Sequence, residues 1–285
     1  MEPGVPGSSP GGGTISSPFS AHARYAAHTA AKLGLSFRSL DGEDCYLFEI
    51  GDGERRAFFA TGAASPYALN PAHAASIARD KWFAQQVLRE AGIATIPSRL
   101  FFVTATQAAE RGPGRELKDA RGFAASAAYP LFCKPVSGSQ GAFAERVDDA
   151  AEFARYIERV AKHHYAMLVQ PVIEAREHRV VVLKGAPLFC YEKHSAQPGL
   201  PANRSAGGSA SEPTTDVPQA LRTIAVEATQ TLGLDFAAID MFETERGPVV
   251  IEVNAAPAVQ TLEDYGRWDL IETIWTANIE AAFAR

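Results

Sequence analysis

The sequence predicts an α+β fold, and three observations predict it. Turn signals of the hairpin kind recur: Gly51-Asp52-Gly53, Gly185 and Glu245-Arg246-Gly247 each separate two short β-prone runs. Between these hairpins lie segments whose apolar residues return at helical spacing, as Phe153, Ile157 and Val160 do. Hairpins and helices are mixed, whereas a doubly wound parallel sheet needs strands and helices in strict alternation.

Residues 1–18 are rich in Gly, Pro and Ser and have no charged segment leading into an apolar one, which predicts a disordered tail rather than a secretory leader. A small N-terminal lobe follows over 19–78. It opens with a helix from Ser20 to Leu33, closed by Gly34, and continues with strands around Cys45–Ile50 and Arg56–Ala60. Asn70-Pro71 signals a helix start, Asn as cap and Pro in the first turn, and the helix runs to Ala91 with a break near Asp80. Ile96–Val103 reads as a strand, 111–121 as an exposed loop or short helix, and Leu131–Val136 as a buried strand. Asp148 caps the next helix. Strands Met167–Val172, Arg179–Leu183 and Pro187–Tyr191 follow. Gln197–Thr214 is a long polar stretch without a core pattern, which in a compact domain points to function or disorder. Helix Pro218–Leu232, strands Phe236–Phe242 and Pro248–Val253, and a terminal helix Asp264–Phe283 close the chain.

Composition sets the boundaries of function. With 285 residues, 46% of them hydrophobic, the chain can bury a sizeable core. The net charge of −6 and the lack of a basic stripe point away from nucleic acid. No apolar run reaches the roughly 18 residues needed to span a bilayer. Cys45, Cys133 and Cys190 lack metal spacing and read as buried reduced thiols, in keeping with a cytoplasmic protein without a membrane partner.

The chemistry concentrates in the hairpin at 233–259. A three-residue loop, Glu245-Arg246-Gly247, places Gly247 where positive φ is needed and sets Asp240 opposite Glu252. Side chains alternate along a strand, so Glu252 shares a face with Asn254 while Ile251 and Val253 take the other. Two carboxylates buried side by side are costly unless cations neutralise them, and magnesium, hard and oxygen-seeking, suits such a patch. A second signal is Lys134 in an apolar strand ahead of the Ser137-Gly138-Ser139-Gln140-Gly141 loop. A buried lysine calls for an anion, and backbone N–H groups of such loops cradle phosphate.

The run Ile251-Glu252-Val253-Asn254-Ala255-Ala256-Pro257 after Ala238-Ile239-Asp240 resembles the metal-binding signature of the ATP-grasp superfamily. That resemblance implies an ATP-grasp fold in which two α+β subdomains, here 79–168 and 169–285, clasp ATP beside a reduced N-terminal lobe. It implies an ATP-dependent ligase that joins a carboxylate to an amine through an acyl-phosphate. Asp240, Glu252 and Asn254 become the ligands of two Mg2+ ions, with Mn2+ as a substitute. Lys81 and Lys134 become nucleotide contacts, and Ser137, Gly138, Ser139 and Gly141 the phosphate flap. Gln170, Pro171, Val172 and Ile173 become the adenine hinge, with one backbone donor removed by Pro171, and Glu177 the ribose acid. The Asn-x-x-x-Gly-Gly spacing at 203–208 is similar to the ribosomal-protein glutamate ligase and cyanophycin synthetase branch. There Lys193 faces the transferred phosphate and Asn203 lines the catalytic loop. D-alanine–D-alanine ligases carry arginine where this chain has Ala238, which leaves Arg204 and Lys193 as oxyanion candidates. The expected partners are a small carboxylate and an amine, and a homodimer is common in the family. A ligase acting on a protein or peptide terminus, and a nucleotide-binding module without catalysis, are the alternatives.

Overall fold

The computed structural model describes residues 20–62, 65–138, 141–196, 202 and 207–285. The chain divides into two compact units at Pro66/Tyr67, rather than at the 78/79 lobe boundary drawn from the sequence. In the first unit α1 (Ala21–Lys32) is capped by Ser20, whose Oγ accepts from the Ala23 amide at 3.3 Å, and it ends at Gly34 with φ 69°. Strands β1 (Ser36–Ser39), β2 (Leu47–Gly51) and β3 (Arg56–Ala60) form an antiparallel sheet in that order. The Asp52 carboxylate accepts from the Glu54 and Arg55 amides and makes the β2–β3 turn. The four-residue β1 went unpredicted because only Phe37 of its alternation is hydrophobic.

The second unit begins with α2 (Ala72–Arg79) and α3 (Lys81–Glu90), broken at Asp80 as the sequence predicts. The Asp80 side chain caps α3 by accepting from the Trp82 and Phe83 amides. Next come β4 (Arg99–Phe102), α4 (Leu117–Ala124), β5 (Leu131–Pro135), β6 (Glu145–Val147), α5 (Ala150–Val160) and β7 (Ala166–Pro171). The cap of α5 is Asp149, one residue after the expected Asp148. These strands make a four-stranded antiparallel sheet, order β4-β7-β5-β6, with α4 and α5 on the face of Cys133, Met167 and Val169. Lys134 therefore points from the opposite face.

The remaining elements are β8 (Arg176–Leu183), β9 (Ala186–His194), β10 (Ser209–Ala210), α6 (Gln219–Thr231), β11 (Phe236–Thr244), β12 (Gly247–Asn254), α7 (Gln260–Asp264) and α8 (Trp268–Phe283). The five strands form an antiparallel sheet, order β10-β9-β8-β11-β12. Helices α2, α3 and α6 cover one face, where Val180, Leu221, Ala225, Ile239 and Val253 pack together. The antiparallel sheets with packed helices are the α+β class that the sequence predicts.

Several expectations are corrected. The single terminal helix is two, separated at Gly266 with φ 67°. The strand expected over 96–103 is shared between sheets: Thr95 and Ile96 run beside Val250 of β12, while 99–102 join the small sheet. Part of the polar 197–214 stretch is strand, since β10 pairs with the end of β9. Asn70 does not cap α2. It is 7% exposed, donates to the carbonyls of Phe236 and Ala255, and accepts from the amides of Asp235 and Phe236, all at 2.7–2.9 Å. It thereby ties the start of β11 to the end of β12. At about 1 kcal/mol net per bond, and with backbone groups left unpaired, Asn70→Ala is expected to destabilise by about 3 kcal/mol. Thermal unfolding should show a fall of about 8 °C.

Candidate active site

The β11–β12 hairpin builds the centre of the site. Its loop has two residues, Glu245 and Arg246, because Thr244 pairs with Gly247, whose φ is 106°. That shortening would shift the register by one. A bulge at Ile251 restores it, so Asp240 does stand opposite Glu252 and Ala238 opposite Asn254. The bulge also turns Val250 into the helix-covered core together with Val253, while Ile251 is only half-buried. Without it, Val250 and Glu252 would lie on one face.

Asp240 shares its face with Arg179 and Glu177 of β8 and with Tyr191 and Lys193 of β9. Asp240 is 1% exposed. Its Oδ1 accepts from Arg179 Nε at 2.6 Å, and its Oδ2 from Arg179 Nη2 at 2.7 Å and Lys193 Nζ at 3.0 Å. Lys193 also donates to Glu177. On β12, Asn254 Nδ2 donates to Glu252 Oε1 at 3.2 Å. Lys81 Nζ lies 3.6 Å from Glu252 Oε2 and donates to the Gly138 carbonyl at 3.1 Å, so it links the end of the segment after β5 to the hairpin.

These neighbours set the charge states. Burial pushes the Asp240 carboxyl up, but Arg179 and Lys193 outweigh it and hold it below the usual carboxylate range. Burial likewise opposes ionisation of Glu252, and Lys81, Lys134 and Lys193 bring it down. Glu177 goes the other way: burial raises it, Lys193 opposes that, and Asp240 adds to it. Lys134, 4% exposed, is lowered to about 8, mainly by burial, with Lys81 adding to the effect and Glu252 opposing it. The cluster sets Lys81, Lys134, Arg179 and Lys193 against Glu177, Asp240 and Glu252, an excess of positive charge suited to phosphate oxygens.

Among the described residues no group of three His, Cys, Asp or Glu side chains is arranged to hold a metal alone. The donor set expected from the sequence is instead two carboxylates and an amide. That fits Mg2+, which takes one or two carboxylates and fills its shell with water and substrate phosphates.

The other residues singled out in the sequence fall into four groups. Ser137, Gly138 and Gly141 lie in the β5–β6 connection, with Gly138 and Gly141 at φ 130° and 72°. Gln170 and Pro171 end β7, and the buried Gln170 amide donates to Ser98 Oγ at 2.7 Å; Val172 and Ile173 lie in the link to β8. Glu177, implied by resemblance to hold ribose, stands in the charged cluster against Lys193. Ser139, Asn203 and Arg204 lie outside the described residues.

The glycine pair Gly207-Gly208 has two separate reasons. Gly207 takes φ 81°. At Gly208 a Cβ would lie 2.7 Å from the Ala202 carbonyl carbon and 2.9 Å from the His194 carbonyl oxygen, so the chain closes on itself there. Gly208→Ala forces the backbone at 202 aside. If the sequence expectation of a catalytic loop at 203–208 holds, the effect is a fall of about tenfold to a hundredfold in turnover, because small misplacements of catalytic groups cost that much. Thermal unfolding should barely move, since the strain is local; steady-state ADP release and a melting curve check both.

Sequence reasoning missed Arg179 as a site residue. Its alternation with Glu177 along β8 is visible in the sequence, but that does not separate a buried arginine from an exposed one. Its partner, however, lies on another strand.

Comparison with known proteins shows the family. Residues 78–277 match the family model described as RimK-like ATP-grasp domain. A probable alpha-L-glutamate ligase from Sodalis glossinidius is 32% identical over 221 residues, covering 76% of this chain and 70% of that protein. A protein of the same name from Pasteurella multocida is 30% identical over 198 residues, covering 68% of this chain. The chain spans 58% of the Pasteurella multocida protein and 40% of the relative from Shewanella halifaxensis, less than two thirds of either. Among solved structures, D-alanine–D-alanine ligase from Bacillus anthracis complexed with ATP superposes with TM-score 0.56 at 18% identity, over 75% of this chain and 69% of that one. The ATP-grasp ligase PsnB complexed with minimal precursor gives 0.52 at 19% identity, over 75% and 63%. At those identities the likeness concerns the fold alone. On the family match and the Sodalis glossinidius relative, the chain belongs to the RimK-like ATP-grasp family.

Proposed function

We propose that the protein is an ATP- and Mg2+-dependent ligase that joins a carboxylate to an amine through an acyl-phosphate, with an amino acid or other small carboxylic acid as substrate. The observation that carries this reading is the meeting of Asp240, Glu252 and Asn254 with Lys81, Lys134, Arg179 and Lys193 on facing strands and helix ends. The relatives named alpha-L-glutamate ligase favour glutamate as one of the joined groups.

A carboxylate resists attack by an amine because its oxygen leaves poorly. In the proposed reaction a carboxylate oxygen bonds to the γ-phosphorus of ATP as the bond to ADP breaks. The amine nitrogen then bonds to the acyl carbon, phosphate departs with that oxygen, and the amine gives up a proton. Asp240, Glu252 and Asn254 would hold Mg2+, whose charge would neutralise that of the phosphates.

The chain's own groups do the rest. Lys81, whose ammonium already reaches the flap carbonyl of Gly138, brings the flap and the hairpin to one point. Lys134 supplies positive charge from the floor of the small sheet. Lys193, held by Glu177 and Asp240, faces the transferred phosphate and with Arg204 steadies the developing oxyanion.

The test is an ADP-release screen over pairs of carboxylic acids and amines, L-glutamate among them, with mass spectrometry of the product. A new amide with one ADP and one phosphate per bond supports the reading. ADP release without any condensed product contradicts it.

A further inference from the structure

We propose that Arg179 is the positioning residue of the cation site, orienting the Asp240 carboxylate so that one oxygen alone, Oδ1, is presented to a divalent ion. This rests on the function proposed above and names a residue that the metal signature does not contain.

The argument is one of acceptor capacity. An ionised carboxylate has about four lone-pair positions. Arg179 takes one on each oxygen, at 2.6 and 2.7 Å, and Lys193 takes the second on Oδ2 at 3.0 Å. The remaining position is on Oδ1. Two parallel N–H···O bonds from a planar guanidinium fix the carboxylate plane as well as its charge, which a single ammonium cannot do.

The fold does not call for this pair. The next residues along the same face of the sheet, Val181 and Ala238, pair as an apolar couple, and apolar replacement of a buried ion pair is often neutral or stabilising. A buried Arg–Asp pair at the neighbouring position is therefore explained by what it does to Asp240. Arg179 comes from β8 and Asp240 from β11, on strands paired in register, so the orientation is set by the sheet rather than by a loop. Partners that orient a ligand in this way typically change metal affinity by ten- to a hundredfold when lost.

The test is an electron paramagnetic resonance titration of Mn2+ with the full-length protein in the presence of ADP, beside a melting curve and ADP affinity at saturating Mn2+. Arg179→Lys keeps the charge and loses the fork; Arg179→Met loses both. The expected result is Mn2+ binding weakened about tenfold in R179K and about a hundredfold in R179M, with ADP affinity at saturating metal falling by a smaller factor in each. A folded variant of either kind that melts lower but binds Mn2+ as the wild type does overturns the proposal, because Arg179 then only supports the fold. Wild-type protein that takes up no Mn2+ with ADP overturns the cation site itself, a separate and recognisable result.

Discussion

Asp240→Ala is expected to abolish ADP release, by roughly a thousandfold or more, and to destabilise the protein by about 3 kcal/mol. Both effects have one cause. The Asp240 carboxylate is the shared partner of Arg179 and Lys193 in a place almost closed to water. Its removal leaves two cations buried side by side, with Glu177 the remaining acid beside Lys193. It also takes an oxygen ligand from the proposed cation site. Asp240→Asn separates the two contributions, because the amide keeps the shape and one acceptor but loses the charge. A melting curve and steady-state ADP release on both variants check the prediction. Near-normal turnover in a folded D240A protein would contradict the role assigned to the hairpin.

Lys134→Met should have the opposite balance: a large loss of activity with a gain of stability at neutral pH. Burial lowers the Lys134 ammonium from 10.5 to about 8, so the folded state holds this proton less tightly than the unfolded chain does. Between pH 8 and 10.5 the unfolded state binds more protons, and stability rises with pH across that window. The cost of burying the charge is therefore present in full below about pH 8 and is relieved above it. At roughly 1.4 kcal/mol per unit it is on the order of 3 kcal/mol. The K134M protein, which carries no such charge, is expected to melt higher than the wild type at pH 7, with the difference shrinking toward pH 10. Its nucleotide KM should rise at least about tenfold, since the ammonium proposed to meet phosphate is gone. A K134M protein that melts lower at pH 7 and keeps its nucleotide KM would show that Lys134 serves the packing of β5 instead.

The hairpin shows how sequence and structure relate here. Alternation within β12 and the turn glycine gave the pairing of Asp240 with Glu252, although two departures offset each other: a loop shorter by one residue and a bulge at Ile251. Local signals of this kind, including the helix stop at Gly34, the break at Asp80 and the glycine turn at 185, depend on neighbours in the chain and were legible. Arg179 and Asn70 act across 61 and 166 residues. Nothing local distinguishes an arginine at a strand face from a solvent-facing one, or an asparagine before proline that caps a helix from one that joins two strands. The division at Gly266 and the short β10 failed for a related reason. A single glycine in an apolar run reads as tolerated helix, and two strand residues have no periodicity to read.

The most direct test of the proposed site is calorimetry of a non-hydrolysable ATP analogue with the wild type and with Glu252→Ala, each in Mg2+ and in EDTA. If the two carboxylates and the Asn254 amide hold a cation against the terminal phosphates, Mg2+ tightens wild-type binding by at least about tenfold, and that gain disappears in E252A. Equal binding by the wild type in Mg2+ and EDTA, or an undiminished Mg2+ effect in E252A, would contradict it.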